Sequence, residues 1–135
     1  MTKRWGFTYI FCNDLAKMKW FYTEILHLDL IWDSTNTLAF KIGDHQLSID
    51  FHEYYTPFAS GFSIQPGWQG GTEPRISWSL ECDKEDFIQI VHSATRHEIP
   101  TYYHIPKWNG YWSFPILDPM NHTIEITCTE KSINV

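Results

Sequence analysis

The stretch 6–26, GFTYIFCNDLAKMKWFYTEIL, decides the fold. It opens on Phe7-Thr8-Tyr9-Ile10-Phe11-Cys12, a run of β-branched and aromatic residues with strand composition. Asn13-Asp14 follows, and a short polar side chain there can accept a hydrogen bond from an open N–H of a helical first turn. Leu15, Met18, Phe21, Tyr22, Ile25 and Leu26 then recur at helical spacing, which predicts an amphipathic helix over about 14–27. Short alternating runs at 28–33, 37–42 and 46–52 are separated by Ser34-Thr35-Asn36 and Gly43-Asp44, both turn formers. The predicted order is β-α-β-β-β.

The same order returns in the second half. Residues 75–82, RISWSLEC, alternate strictly, and Asp83, Glu85 and Asp86 open a helix carrying Phe87, Ile90, Val91 and Ala94 on one face. That helix stops before Ile99-Pro100, where proline disfavours continuation. Strands are predicted at about 101–105, 110–117 and 123–129, with Asp118-Pro119-Met120-Asn121 as the last turn. Cys12 and Cys82 take equivalent places, each just before a helix cap. The 135 residues thus form a single domain of two modules, about 5–55 and 75–130, joined by a loop at 56–74. That loop is rich in Gly, Pro and Ser, and loops this long in a compact domain often serve function. Trp68 at its centre suggests contact with a ligand.

Charge and cysteine usage exclude several classes. Ten Lys and Arg face sixteen Asp and Glu, and the basic residues form no stripe, so a nucleic-acid partner is disfavoured. A net charge of -6 suits a cationic or neutral ligand better than an anionic one. No apolar run reaches the length of about 20 residues that a membrane span requires. The N-terminal segment lacks a small-residue cleavage site and is expected to be a strand, not a secretory signal. Three cysteines, Cys12, Cys82 and Cys128, lie far apart without a CxxC pair, which points to buried thiols in a reducing cytoplasm. In that compartment the sequon Asn121-His122-Thr123 carries no meaning.

Two stretches then resemble a known group. Asn13-Asp14-Leu15 leading to Trp20-Phe21-Tyr22-Thr23-Glu24-Ile25-Leu26 is like a D-L…F-Y-x-x-x-L segment, and Asp118-Pro119-Met120-Asn121-His122-Thr123-Ile124-Glu125-Ile126 is like a D-P-x-G-N-x-I-E-L ending. With the tandem βαβββ order, the chain resembles the glyoxalase, bleomycin-resistance and extradiol-dioxygenase superfamily, also called vicinal oxygen chelate proteins. The resemblance implies an α+β fold in which tandem βαβββ modules form an open U-shaped barrel around a cavity, and a homodimer. His27 and Asn121 stand where the group keeps glycines, and Asn tolerates a left-handed turn next best.

Metal-dependent members place a ligand on the first strand of each module and a carboxylate on the last. By register those positions fall on Phe7, on Ser77 (or on Arg75 if the strand is shifted) and on Glu125, with Asp50 as the first module's counterpart of Glu125. Phenylalanine has no donor atom and arginine would repel a cation, whereas a catalytic divalent site needs about three N, O or S ligands. No metal or other cofactor is therefore expected at the usual position. A displaced divalent site using Asp50, His52, Glu125 and one further histidine stays open.

Strand alternation fills the expected cavity. Phe7, Tyr9 and Phe11 share one face of the first strand, with Ser48, Asp50 and His52 from the first module's last strand. Ser77, Ser79 and Glu81, Thr123, Glu125 and Thr127, and two or three of Trp108, Tyr111, Trp112 and Phe114 complete it. His52 and His104 are the histidines expected near the cavity. No Ser-His-Asp or Cys-His order has independent support. An aromatic wall beside carboxylates suits a flat or partly cationic organic ligand. The leading function is metal-independent binding of a small aromatic or amphipathic molecule, similar to bleomycin-resistance-type sequestering proteins, with Phe7, Tyr9, Phe11, Asp50, His52, Ser77, Trp108, Trp112 and Glu125 as the ligand-binding set. The alternatives are a glyoxalase- or dioxygenase-like lyase, isomerase or oxygenase with a non-standard metal set using Glu125, and an interaction module whose exposed rings meet another protein.

Overall fold

The structure, a computed structural model, describes residues 2–65 and 70–134. Trp68 lies outside the described residues. The chain divides into two contiguous units, Met1–Pro57 and Phe58–Val135.

In the first unit, β1 (Phe7–Cys12) leads into α1 (Leu15–Trp20), which continues as a π-helical turn over Phe21–Ile25. Asp14 caps the helix: its side chain accepts the Lys17 N–H at 3.0 Å, an arrangement worth about 1 kcal/mol. The π turn is closed by Leu26 N–H donating to the Phe21 carbonyl, five residues back. His27 then takes φ 55, the left-handed conformation that the group's glycine would adopt. Strands β2 (Asp29–Asp33), β3 (Thr37–Ile42) and β4 (His45–Phe51) follow, and the sheet runs β1-β4-β3-β2. β1 and β4 are parallel, while the remaining pairs are antiparallel. One face packs the core: Ile10, Cys12, Leu38, Phe40, Leu47 and Ile49 are buried, as are Met18, Phe21, Tyr22 and Ile25 from the helix.

The second unit repeats the design. β5 (Trp78–Glu81), α2 (Lys84–Arg96), β6 (Lys107–Trp108), β7 (Trp112–Leu117) and β8 (Thr123–Cys128) give a sheet of order β5-β8-β7-β6. β5 pairs with β8 in parallel, as β1 does with β4. Asp83 caps α2 through the Asp86 N–H, and Phe87, Ile90, Val91 and Ala94 are buried, the face read from their spacing. The α+β class and the tandem βαβββ order therefore stand.

The sixth strand departs from expectation. Residues 101–105 form no strand; Thr101 makes a single bridge to Ile116, and pairing resumes only at Lys107–Trp108. Pro100 and Pro106 flank the segment, and neither can donate to a ladder. Nor is the connecting segment a plain linker. Thr72 donates to Phe62, Ile64 to Glu73, and the fully buried Ser63 donates its N–H to the Thr123 hydroxyl on β8 at 2.9 Å. Gly71 has φ 77, and a Cβ there would run into the Ser63 carbonyl.

Candidate functional site

Parallel pairing of β1 with β4 sets rings beside polar groups. Phe7 stands opposite Gln46, Tyr9 opposite Ser48 and Phe11 opposite Asp50, and residues opposite each other share a face. The helix covers the other face. Phe7, Tyr9 and Phe11 accordingly remain 55, 70 and 42% exposed, with Phe7 and Tyr9 stacked at 6.1 Å between centroids. They are not filler for a collapsed core.

At the end of this row the chain makes an open hollow of about 320 Å³, lined by Phe11, His52, Glu53, Tyr54 and Tyr55. His52 meets the Phe11 ring edge-on at 5.1 Å, and Tyr55 lies 6.3 Å from it. Asp50 is held on both sides: Thr37 Oγ1 donates to Oδ1 at 2.6 Å, and His52 Nε2 lies 3.8 Å from Oδ2. Asp50, His52 and Phe11, singled out from the sequence, thus come together. Glu53, Tyr54 and Tyr55 were missed because they follow the last strand, where no periodicity marks a face.

Glu125 occupies the corresponding strand of the second unit. It is 8% exposed, and its Oε2 accepts from Ser113 Oγ at 2.6 Å and from the Tyr111 hydroxyl at 3.2 Å. Burial first, and then the nearby Glu125 charge, push the Tyr111 hydroxyl above its usual pKa. Ser113 was overlooked in the sequence; its signal is its alternation with the inward-packed Phe114 on the neighbouring strand. Ser79 stands opposite Glu125 on β5, whereas Phe11 stands opposite Asp50 on β1. Matching the two carboxylates thus slides the equivalence by two residues from the one that matches Cys12 with Cys82, and the counterpart of Phe7 becomes Arg75. Arg75 donates to the carbonyls of Ala59 and Gly61 and lies over the Phe58 ring, so its charge is spent on the connecting segment. Ser77 accepts from Gln65 Nε2 at 3.0 Å.

Two tryptophans take a different place from the one expected. Trp112 stands opposite Cys128 and Phe114 opposite Ile126, the face that α2 covers, while Ser113 and Pro115 share the face of Glu125. Trp108 pairs with Trp112, so both indoles lie off the Glu125 face, 5.5 Å apart and edge-on. The cause is parity: Tyr111 and Ser113 are the residues one position out of phase. His104 is exposed in the irregular segment before β6 and is not on a strand. His122 is buried, with Nδ1 2.8 Å from Asp118 Oδ2 and the rings of Phe58 and Trp78 beside it. Asp118 Oδ1 also accepts the N–H groups of Met120 and His122, so the pair secures the turn between β7 and β8.

The donor set does not fit a divalent ion at the positions carried over from the group. Phe7 has no donor atom, the Ser77 hydroxyl is engaged by Gln65, and Glu125 holds two hydroxyls. Among the described residues no three of His, Cys, Asp or Glu converge to hold a metal ion. Nor is any described helix long and apolar enough to cross a membrane.

No family model matches the sequence, and no curated protein does. Solved structures do. A glyoxalase/dioxygenase from Nostoc punctiforme aligns with a TM-score of 0.75 at 17% identity, covering 96% of this chain and 92% of that one. Lactoylglutathione lyase from Agrobacterium tumefaciens gives 0.65 at 20% identity, over 94% of each chain. Fosfomycin resistance protein FosX from Mesorhizobium loti gives 0.66 at 15% identity, over 97% of this chain and 95% of that one. At such identities the likeness is one of fold, and a fold does not carry an activity with it.

Proposed function

We propose that this chain, which has the fold of the glyoxalase, bleomycin-resistance and dioxygenase structures, binds a small aromatic or amphipathic molecule without a metal. One observation carries this: Phe7, Tyr9 and Phe11 lie exposed in a row beside Gln46, Ser48 and Asp50. Rings left in water beside fixed polar groups gain by stacking on a flat ligand whose edges those groups can hold. The carboxylate at Glu125 serves in this scheme as a hydrogen-bond acceptor, its Oε2 engaged by Ser113 and Tyr111. The protein acts in the cytoplasm as a homodimer, a setting that suits cysteines held outside any disulfide, as Cys12, Cys82 and Cys128 are.

Intrinsic tryptophan fluorescence titrated with a panel of aromatic compounds tests this. Saturable quenching that Phe7→Ala and Phe11→Ala weaken by about tenfold is expected, each losing a stacking contact worth roughly 1 kcal/mol or more. The competing enzyme reading rests on Glu125 and needs a metal. A stoichiometric divalent ion in the purified protein, lost in Glu125→Ala, would replace the binding function with that one.

A further inference from the structure

The hollow at the end of β1 and β4 is lopsided in charge. Its lining of Phe11, His52, Glu53, Tyr54 and Tyr55 contains three phenyl or phenol rings and a carboxylate, and no lysine or arginine. Asp50 adds a second carboxylate beside it, in register with Phe11 and within 3.8 Å of His52. The Phe11 and Tyr55 rings are inclined by 39°, so they present two faces at an angle instead of one flat wall. Tyr54 is 88% exposed, which leaves its ring available to a ligand.

Each feature favours the same sign. A ring face carries negative quadrupolar charge and attracts a cation within about 6 Å of its centroid. Carboxylates at the rim add Coulomb attraction, and the net charge of -6 steers a cation inward from a distance. An anion meets repulsion from all three sources, and a neutral ring gains only stacking. We propose that this hollow binds an organic cation, a quaternary or protonated nitrogen carried on a flat ring system. This choice of ligand class rests on the metal-free binding function proposed for the chain.

Isothermal titration calorimetry of the full chain at pH 8 compares three probes of one shape: N-methylquinolinium, neutral quinoline, and quinoline-4-carboxylate. N-methylquinolinium is expected to bind about tenfold more tightly than quinoline, a difference of about 1.4 kcal/mol, with the carboxylate weakest. In the Asp50→Asn/Glu53→Gln double variant the first two dissociation constants should converge. Phe11→Leu should weaken the cation by several-fold, since it removes a ring face. Equal binding of cation and neutral probe in the native chain overturns the cation assignment and leaves the broader binding function standing. If none of the three binds and the fluorescence panel is also silent, both fall. Light scattering reports on the remaining occupant: a dimer dissociated by Tyr54→Lys, whose native form admits no cation, makes the hollow a contact between copies and overturns the assignment.

Discussion

Removing the Ser113 hydroxyl measures how firmly Glu125 is held. Ser113 is fully buried and donates to Glu125 Oε2 at 2.6 Å, a short bond to a buried carboxylate. Hydrogen bonds to charged groups contribute about 1.5–3 kcal/mol net. The Tyr111 bond is longer, at 3.2 Å, and survives the substitution. Ser113→Ala should therefore cost about 2 kcal/mol, or roughly 6–10 °C in Tm for a chain of this size. Glu125→Met alone leaves the Ser113 hydroxyl buried without its acceptor, at about 1–3 kcal/mol. The double variant removes both partners and should cost much less than the sum of the singles. Urea unfolding of all four proteins, followed by circular dichroism, gives the coupling, expected at about 1–2 kcal/mol. Additivity within about 0.5 kcal/mol would refute the reasoning, because independent sites behave so. It would mean that Glu125 is not bound by these hydroxyls and is available for other chemistry.

Three further outcomes are accessible to the same measurements. Asn121 has φ 65 and donates through Nδ2 to the Phe58 carbonyl at 2.7 Å; Asn121→Gly should lose only the bond, about 1 kcal/mol, and Asn121→Ala about 2, with equal losses counting against backbone strain. Glu98 has φ 55 just past α2, so Glu98→Gly should stabilise by about 0.5–1 kcal/mol, and a loss on thermal melting would contradict this. Burial, followed by the Asp86 and Asp83 charges, pushes the Cys82 thiol up from 9.0 to about 12. The fold thus favours the neutral thiol, and its contribution is complete below pH 9 and lost as pH rises towards 12. The shift corresponds to roughly 4 kcal/mol at its limit, which partial exposure reduces to about 2. Cys82→Ala should flatten the fall in stability between pH 9 and 11, and an unchanged alkaline slope would exclude the thiol as its source.

Much of the fold was legible because its signals are local. Asp14 and Asp83 cap helices where a short acidic side chain precedes apolar periodicity, and the buried face of α2 follows from 3.6-residue spacing alone. The row Phe7, Tyr9 and Phe11 followed from strand parity, as did its place on the face away from the helix; that its rings stand exposed did not. Parity failed at Trp112 because aromatic residues run on both sides of that strand, and composition alone gives no phase there. The Asp118–His122 pair and the Ser113–Glu125 bond depend on side chains meeting across a turn or a ladder, distances that no periodicity contains. The hollow was half visible. Asp50, His52 and Phe11 were named from the strands, while Glu53, Tyr54 and Tyr55 come from an irregular segment that has no phase to read.

The parallel pairing that begins each unit has a consequence for its synthesis. Phe7 finds its partner only at Gln46, and Trp78 only at Ile124, so each sheet closes on its own last strand. A ribosome adding about 5–20 residues per second needs several seconds to cover such a gap. Through that interval the first strand emerges with its rings and no neighbour, and the loop to be closed slows pairing further. Because the first unit is contiguous, ending at Pro57, its sheet can be complete before β5 is made. A chain stopped anywhere between Cys12 and His45 would release FTYIFC as an unpaired, uncharged segment of the kind that aggregates, so elongation through that stretch is a hazardous part of making this protein.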